Sequence, residues 1–140
     1  MANNITLPPN PQDKIHTDAD AIKAASTNYG HIVTQNPAAV LFPSSVEDIK
    51  TLLGFSFNSS IPYTVAAKGQ GHSIYGQAMA TNGEVVEMMS LSKNGSNRIV
   101  ISGYKGSGFY ADVGGEQLWI DVLNATLQKG LTPVSWIICI

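Results

Sequence analysis

Ala66-Ala67-Lys68-Gly69-Gln70-Gly71-His72-Ser73-Ile74-Tyr75-Gly76-Gln77 decides how this chain is read: a histidine lies inside a glycine-rich loop that directly follows an apolar run, 63–67. Glycines, lacking Cβ, let the backbone come close to a ligand, so that successive amide N–H groups can converge on an anionic oxygen. A phosphate cradle needs no histidine. His72 adds a neutral, nucleophilic ring nitrogen at the same place, which is what tethering a cofactor requires. Two commoner glycine motifs do not fit: a dinucleotide fingerprint needs its third glycine where Ile74 stands, and a P-loop needs Lys-Ser or Lys-Thr where Gln77-Ala78 stands. Spacing alone leaves two readings open. Gly69 and Gly71 either serve a tight surface turn at positive φ or admit a cofactor's phosphates.

Working outward, the run 63–67 predicts a strand, which hangs the loop from a strand end, where ligand loops of open α/β architecture lie. Upstream, 40–42 predicts a short strand ended by Pro43. Ser45-Val46-Glu47-Asp48 then opens a helix with Val46, Ile49, Leu52, Leu53 and Phe57 at helical spacing. Thr17 is expected to cap a first helix running to about Tyr29, with Gly30 as its stop. Residues 1–16, with Pro8, Pro9 and Pro11, are expected to be an irregular, disordered arm. Downstream, strands are expected over 84–89, 98–102 and 109–113, separated by the turn-rich stretches 93–97 and 104–108. A third helix over 116–129 is expected to be buried through Trp119, Val122, Leu123 and Leu127 and ended by Gly130, with a further strand over 131–134. The class is α+β, without internal repeats.

The stretch Lys-Gly-x-Gly-His-Ser-Ile-x-Gly-Gln-Ala at 68–78 resembles the flavin-attachment loop of the plant cytokinin dehydrogenases, a branch of the covalent flavin oxidoreductases. A second block is also similar to that family: Val113-Gly114-Gly115-Glu116-Gln117-Leu118-Trp119-Ile120-Asp121-Val122-Leu123, followed by Pro133-Val134-Ser135-Trp136. The resemblance covers most of 17–136. It implies the N-terminal, incomplete part of a PCMH-type FAD-binding domain: an arm and first helix over 1–37, and the partial domain over 38–140. It further implies FAD bonded through its 8α-methyl group to His72. Gly69 and Gly71 would then admit the pyrophosphate, Ser73 would offer its hydroxyl to a phosphate, Gln77 its amide to the flavin or ribitol, and Ala67 and Gln70 backbone contacts.

After Ser-Trp the resembled family continues with Thr-Asp-Tyr-Leu, whose aspartate takes the substrate's proton, and then with a second FAD-gripping segment. Here Trp136 is followed by Ile137-Ile138-Cys139-Ile140. The expectation is therefore a truncated product with no catalytic residue, silent by itself. Complete members would oxidatively cleave N6-isoprenoid adenine cytokinins to adenine and an aldehyde. Two alternatives stay open: a non-catalytic flavin-binding or interaction module that self-associates through its truncated edge, or another covalent flavoprotein oxidase. The Gly-Gly-Glu-Gln-Leu-Trp block argues against the latter.

Composition narrows the classes further. With 44% hydrophobic and 13% charged residues in 140, the chain is ordinary globular material with length for one core. A net charge of −2, with eight basic residues scattered singly, gives no electrostatic footprint for nucleic acid or an acidic membrane. The single cysteine, Cys139, excludes an internal disulfide, and no metal site is expected. His16 and His31 read as solvated loop residues, and Met88 and Met89 as core filler. The apolar stretches fall well short of the roughly 20 residues that cross a bilayer. The opening residues lack a signal's basic and apolar regions, so the expected compartment is the cytoplasm. The four acceptor sites Asn4, Asn58, Asn94 and Asn124 would fit an extracellular protein if a leader lies upstream, as in many members of the resembled family.

Overall fold

Ala39–Leu41 (β2) is buried at every residue, the pattern of a strand covered on both faces. The computed structural model, which describes residues 5–94 and 98–134, builds the first of two compact units, Met1–Lys93, around this strand. Ile15–His16 (β1) pairs antiparallel with β2 on one side, and Glu84–Glu87 (β4) pairs parallel with it on the other. Val65–Lys68 (β3) pairs parallel with β4, so the strand order is β1-β2-β4-β3. Because side chains alternate across a sheet, Val40, Ala66 and Val85 fall in one core cluster with Ala25 and Ala80, against which Ala21, Ile22 and Phe42 pack. Leu41 and Val86 fall in the other with Leu52, flanked by Ile15, Ile49, Tyr63, Val65 and Met88. Helices Ala19–Ala25 (α1) and Val46–Asn58 (α2) thus contribute to different clusters.

The opening of α2 follows the expectation. The Ser45 hydroxyl accepts from the Asp48 N–H, and the Asp48 carboxylate accepts from the Ser45 N–H, a reciprocal capping box. Asp48 also accepts from Lys14 Nζ at 2.8 Å and from the Ser44 N–H at 2.8 Å. Burial pushes the Asp48 carboxyl up, but the Lys14 ammonium and the two serine amides overcome that and hold it at about 2.

That same ion pair corrects the expectation of a disordered arm over 1–16. Gln12–Lys14 forms a 3-10 turn, β1 edges the sheet, and Pro8 and Pro11 are buried. Proline forbids a central strand but not a packed edge, and Lys14 ties this segment to α2.

The first helix is shorter than expected. Its cap is Asp18 rather than Thr17, with Asp18 Oδ1 accepting from the Ala21 N–H at 3.0 Å, and it ends at Ala25. Tertiary bonds supplant the last turn: Lys68 Nζ donates to the carbonyls of Ala24 and Thr27, at 2.7 and 3.2 Å. The expected strand over 84–89 gives way at Met88 to a 3-10 turn, Met88–Asn94, where the Ser90 hydroxyl donates to Pro43 O at 2.6 Å.

The second unit, Asn94–Ile140, holds an antiparallel hairpin and a helix. Ile99–Tyr104 (β5) pairs with Gly108–Val113 (β6), from Ile99 opposite Val113 to Tyr104 opposite Gly108. Trp119–Leu127 (α3) is shorter than 116–129, and its buried residues are Val122 and Thr126. Leu123 is half-buried, whereas Trp119 and Leu127 are exposed. Glu116 precedes the helix, buried, with Oε1 accepting from Gln117 Nε2 at 3.3 Å and facing Arg98 Nε at 3.5 Å. No strand forms over 131–134. The Leu131 N–H instead donates to Thr126 O at 3.0 Å, and Gly130 (φ +68) ends the helix as expected. Asn4, residues 95–97, Ser135, Trp136 and Cys139 lie outside the described residues. The architecture is mixed α and β, parallel strands with helices followed by a hairpin.

Candidate cofactor loop

The loop after β3 leaves the C-terminal end of a parallel strand, the side on which such sheets bind ligands. Its root is Lys68, 8% exposed, whose ammonium is spent on the two carbonyls at the end of α1. Burial pushes Lys68 down from its ordinary value, opposed by the charge of Glu87. The side chain is a structural staple between strand and helix.

The loop glycines divide into two kinds. Gly71 sits at φ +73, and a Cβ there would stand 3.2 Å from Lys68 Cε, so the turn itself demands glycine. Gly69 has no positive φ, and a Cβ there would meet nothing within 4 Å. No contact among the described residues requires Gly69 to be bare, and the residue is exposed. The amides of Gln70, Gly71, His72 and Ser73 donate to no acceptor among the described residues. Four consecutive unspent donors beside an open glycine are available to an anion.

The remaining predicted residues are placed as follows. Ala67 is exposed on β3, and Gln70 is exposed and lines an open cleft of about 520 Å³ shared with Thr27, Asn28, Tyr29, His31 and Lys68. His72 is exposed and does not line this cleft, but its ring meets Tyr29, which does, edge-on with centroids 4.4 Å apart. Ser73 Oγ accepts from the Ala78 N–H at 3.2 Å, leaving its O–H free to donate. Gln77 Oε1 accepts from the Tyr75 N–H at 3.1 Å. Ser73 and Gln77 therefore spend acceptor capacity on shaping the loop.

Three residues that frame the site were given no role of their own in the sequence reading. Asn28, 3% exposed, donates from Nδ2 to Ser73 O at 2.9 Å while its Oδ1 accepts from the Ile32 and Val33 amides, at 2.8 and 3.2 Å. The Tyr29 N–H donates to Gly71 O at 2.8 Å. The third is Lys68. Local spacing offers no sign of bonds between residues more than forty positions apart.

Away from the loop, Glu84 opens β4 fully buried. Tyr63 Oη donates to its Oε2 at 3.4 Å, and Oε1 has no partner among the described residues. Burial pushes the Glu84 carboxyl up to about 7, moderated by the Tyr63 hydroxyl. Burial and the neighbouring carboxylate push Tyr63 up to about 12. Among the described residues, no helix is long and apolar enough to cross a membrane.

The glycine-rich loop that bears His72 thus leaves the C-terminal end of a parallel strand in a chain of mixed α and β structure. No protein-family model matches the chain. Cytokinin dehydrogenase 10 of Oryza sativa subsp. japonica is 48% identical to it over 126 residues, covering 88% of this chain and 22% of the relative. Cytokinin dehydrogenase 1 of the same plant is 46% identical, and cytokinin dehydrogenase 3 of Arabidopsis thaliana 46%, each over 88% of this chain and 23% of the relative. The chain is a homologue of the cytokinin dehydrogenases over most of its own length, and it spans less than a quarter of the length of these curated relatives.

Proposed function

We propose that residues 1–140 are the flavin-tethering portion of a cytokinin dehydrogenase, with 1–37 an arm and first helix and 38–140 part of a PCMH-type FAD-binding domain. The observation that carries this reading is the loop itself: an exposed imidazole, an open glycine and four unspent amides on the ligand side of a parallel strand. These residues fit FAD. The amides of Gln70, Gly71, His72 and Ser73 would receive phosphate oxygens, Gly69 would let them approach, and the free Ser73 O–H would add a donor. The backbone of Ala67 would border the site, and Gln77 would reach it with its amide nitrogen. His72 would hold the cofactor covalently through a ring nitrogen. When bound, FAD supplies the hydride acceptor for oxidising the secondary amine of an N6-isoprenoid adenine, with adenine and an aldehyde as the products.

What these residues do is bind and orient. None of them matches the family's proton-abstracting aspartate. A positioned base contributes roughly 10²- to 10⁴-fold in rate, so a polypeptide of these 140 residues alone binds flavin without turnover. The test is acid precipitation after incubation with FAD, followed by a visible spectrum of the pellet. Yellow colour held by the wild type and lost in His72→Ala is expected. A colourless wild-type pellet, or a yellow His72→Ala pellet, would overturn the proposal.

A further inference from the structure

The two carbonyls that flank His72 are held by consecutive residues of one distant turn: Gly71 O accepts from the Tyr29 N–H at 2.8 Å, and Ser73 O accepts from Asn28 Nδ2 at 2.9 Å. The Asn28 side chain cannot swing away, because its Oδ1 is engaged by the Ile32 and Val33 amides. Backbone on both sides of the histidine is therefore pinned, while the amides of 70–73 stay unspent. The Tyr29 ring adds a restraint on the imidazole, meeting it edge-on at an interplanar angle of 83°. Tyr29 is 57% exposed and belongs to neither core cluster, so core packing does not account for an aromatic ring there.

We infer that Asn28 and Tyr29 are positioning residues for His72, Asn28 fixing the backbone that bears it and Tyr29 fixing the direction of its ring. The inference rests on the flavin-tethering reading for its purpose but not for its geometry. Aspartate in place of Asn28 would keep the shape and the acceptor while losing the donor to Ser73 O. Phenylalanine in place of Tyr29 would keep the ring, and serine would remove it. An aromatic pair of this kind biases a side-chain population roughly two- to tenfold.

The experiment has two arms on the 140-residue chain. In the ligand-free protein, the His72 imidazole resonances are followed by NMR. They should stay in place in Tyr29→Phe, move toward the position of unrestrained histidine in Tyr29→Ser, and broaden in Asn28→Asp, with the melting temperature of Tyr29→Ser unchanged. In the second arm, acid-stable flavin is followed over time after adding FAD under air. The bond would replace a C–H of the flavin's 8α-methyl by a C–N bond to His72: the methyl and imidazole hydrogens leave as two protons, and the electron pair passes through the flavin to dioxygen, which leaves as hydrogen peroxide. Tyr29→Ser should attach flavin roughly two- to tenfold more slowly than wild type, and Tyr29→Phe at the wild-type rate. Unmoved His72 resonances in Tyr29→Ser, or equal attachment rates in Tyr29→Ser and a wild type that attaches flavin, would overturn the inference. If wild type attaches no flavin, the tethering proposal fails, and the NMR arm alone decides the inference.

Discussion

Replacing Glu84 by glutamine removes a charge that the first unit holds at a cost. The carboxyl rises from 4.5 to about 7, because it is fully buried with one oxygen unpartnered and only a 3.4 Å hydrogen bond from Tyr63 on the other. At about 1.4 kcal/mol per unit of pKa, ionising it in the folded state costs about 3 kcal/mol. The folded chain holds this proton more tightly than the unfolded one, so the contribution is fully present below pH 4.5 and is lost as pH rises through 7. Glutamine carries no charge but brings two N–H donors to a buried place where the Tyr63 hydroxyl is positioned to accept one of them, and leaving the other unpaired costs roughly 1–3 kcal/mol. The stability curves of the two proteins should therefore cross. Glu84→Gln is expected to be less stable than wild type at pH 4.5 and more stable at pH 8, by about 1–2 kcal/mol, or about 1 M in urea midpoint. Urea titrations followed by far-UV circular dichroism measure this. The three histidines are common to both proteins, so the difference between the curves isolates residue 84. Parallel curves from pH 4.5 to 8 would refute the reasoning.

Asp48→Asn removes the Lys14 ion pair and weakens the α2 capping box, and should lower stability at pH 7 by about 1–2 kcal/mol in urea unfolding, allowing for the partial exposure of Lys14. Because the folded-state value is about 2 against an ordinary 3.8, the wild type should lose this contribution as pH falls from about 4 to 2, and the variant should not. Lys68→Met leaves the carbonyls of Ala24 and Thr27 without their donor and should cost roughly 1–3 kcal/mol, with faster amide hydrogen exchange at the end of α1. His72→Ala, at an exposed site, should change unfolding free energy by less than about 0.5 kcal/mol while abolishing acid-stable flavin.

Elements governed by local chemistry were legible in the chain: Ser45 and Asp48 announce α2, Gly130 ends α3, and the apolar run before Lys68 becomes the strand that carries the loop. Elements decided by distant partners were not. The first helix stops at Ala25 because Lys68 and Asn28 take over its last turn, and the proline-rich opening is ordered by β2 and Asp48. Helical spacing in α2 groups Leu53 and Phe57 with Leu52, yet only Leu52 is buried, and the other two are 50% and 85% exposed. In the loop, glycine and histidine betray themselves by type. Asn28 and Tyr29 do not, since the sequence reading places both in the last turn of the first helix, where nothing points to the loop.

The spacing between the loop and the turn that holds it has a consequence during synthesis. Asn28 and Tyr29 leave the ribosome ahead of Gly71 and Ser73, the carbonyls they will bind. At roughly 5 to 20 residues per second, they wait some seconds with their donors turned to water. All four strands of the first sheet lie N-terminal to the hairpin and α3, so the loop backbone can be gripped before those elements leave the ribosome. The order of translation thus lets the backbone around His72 be held before the second unit is free to fold.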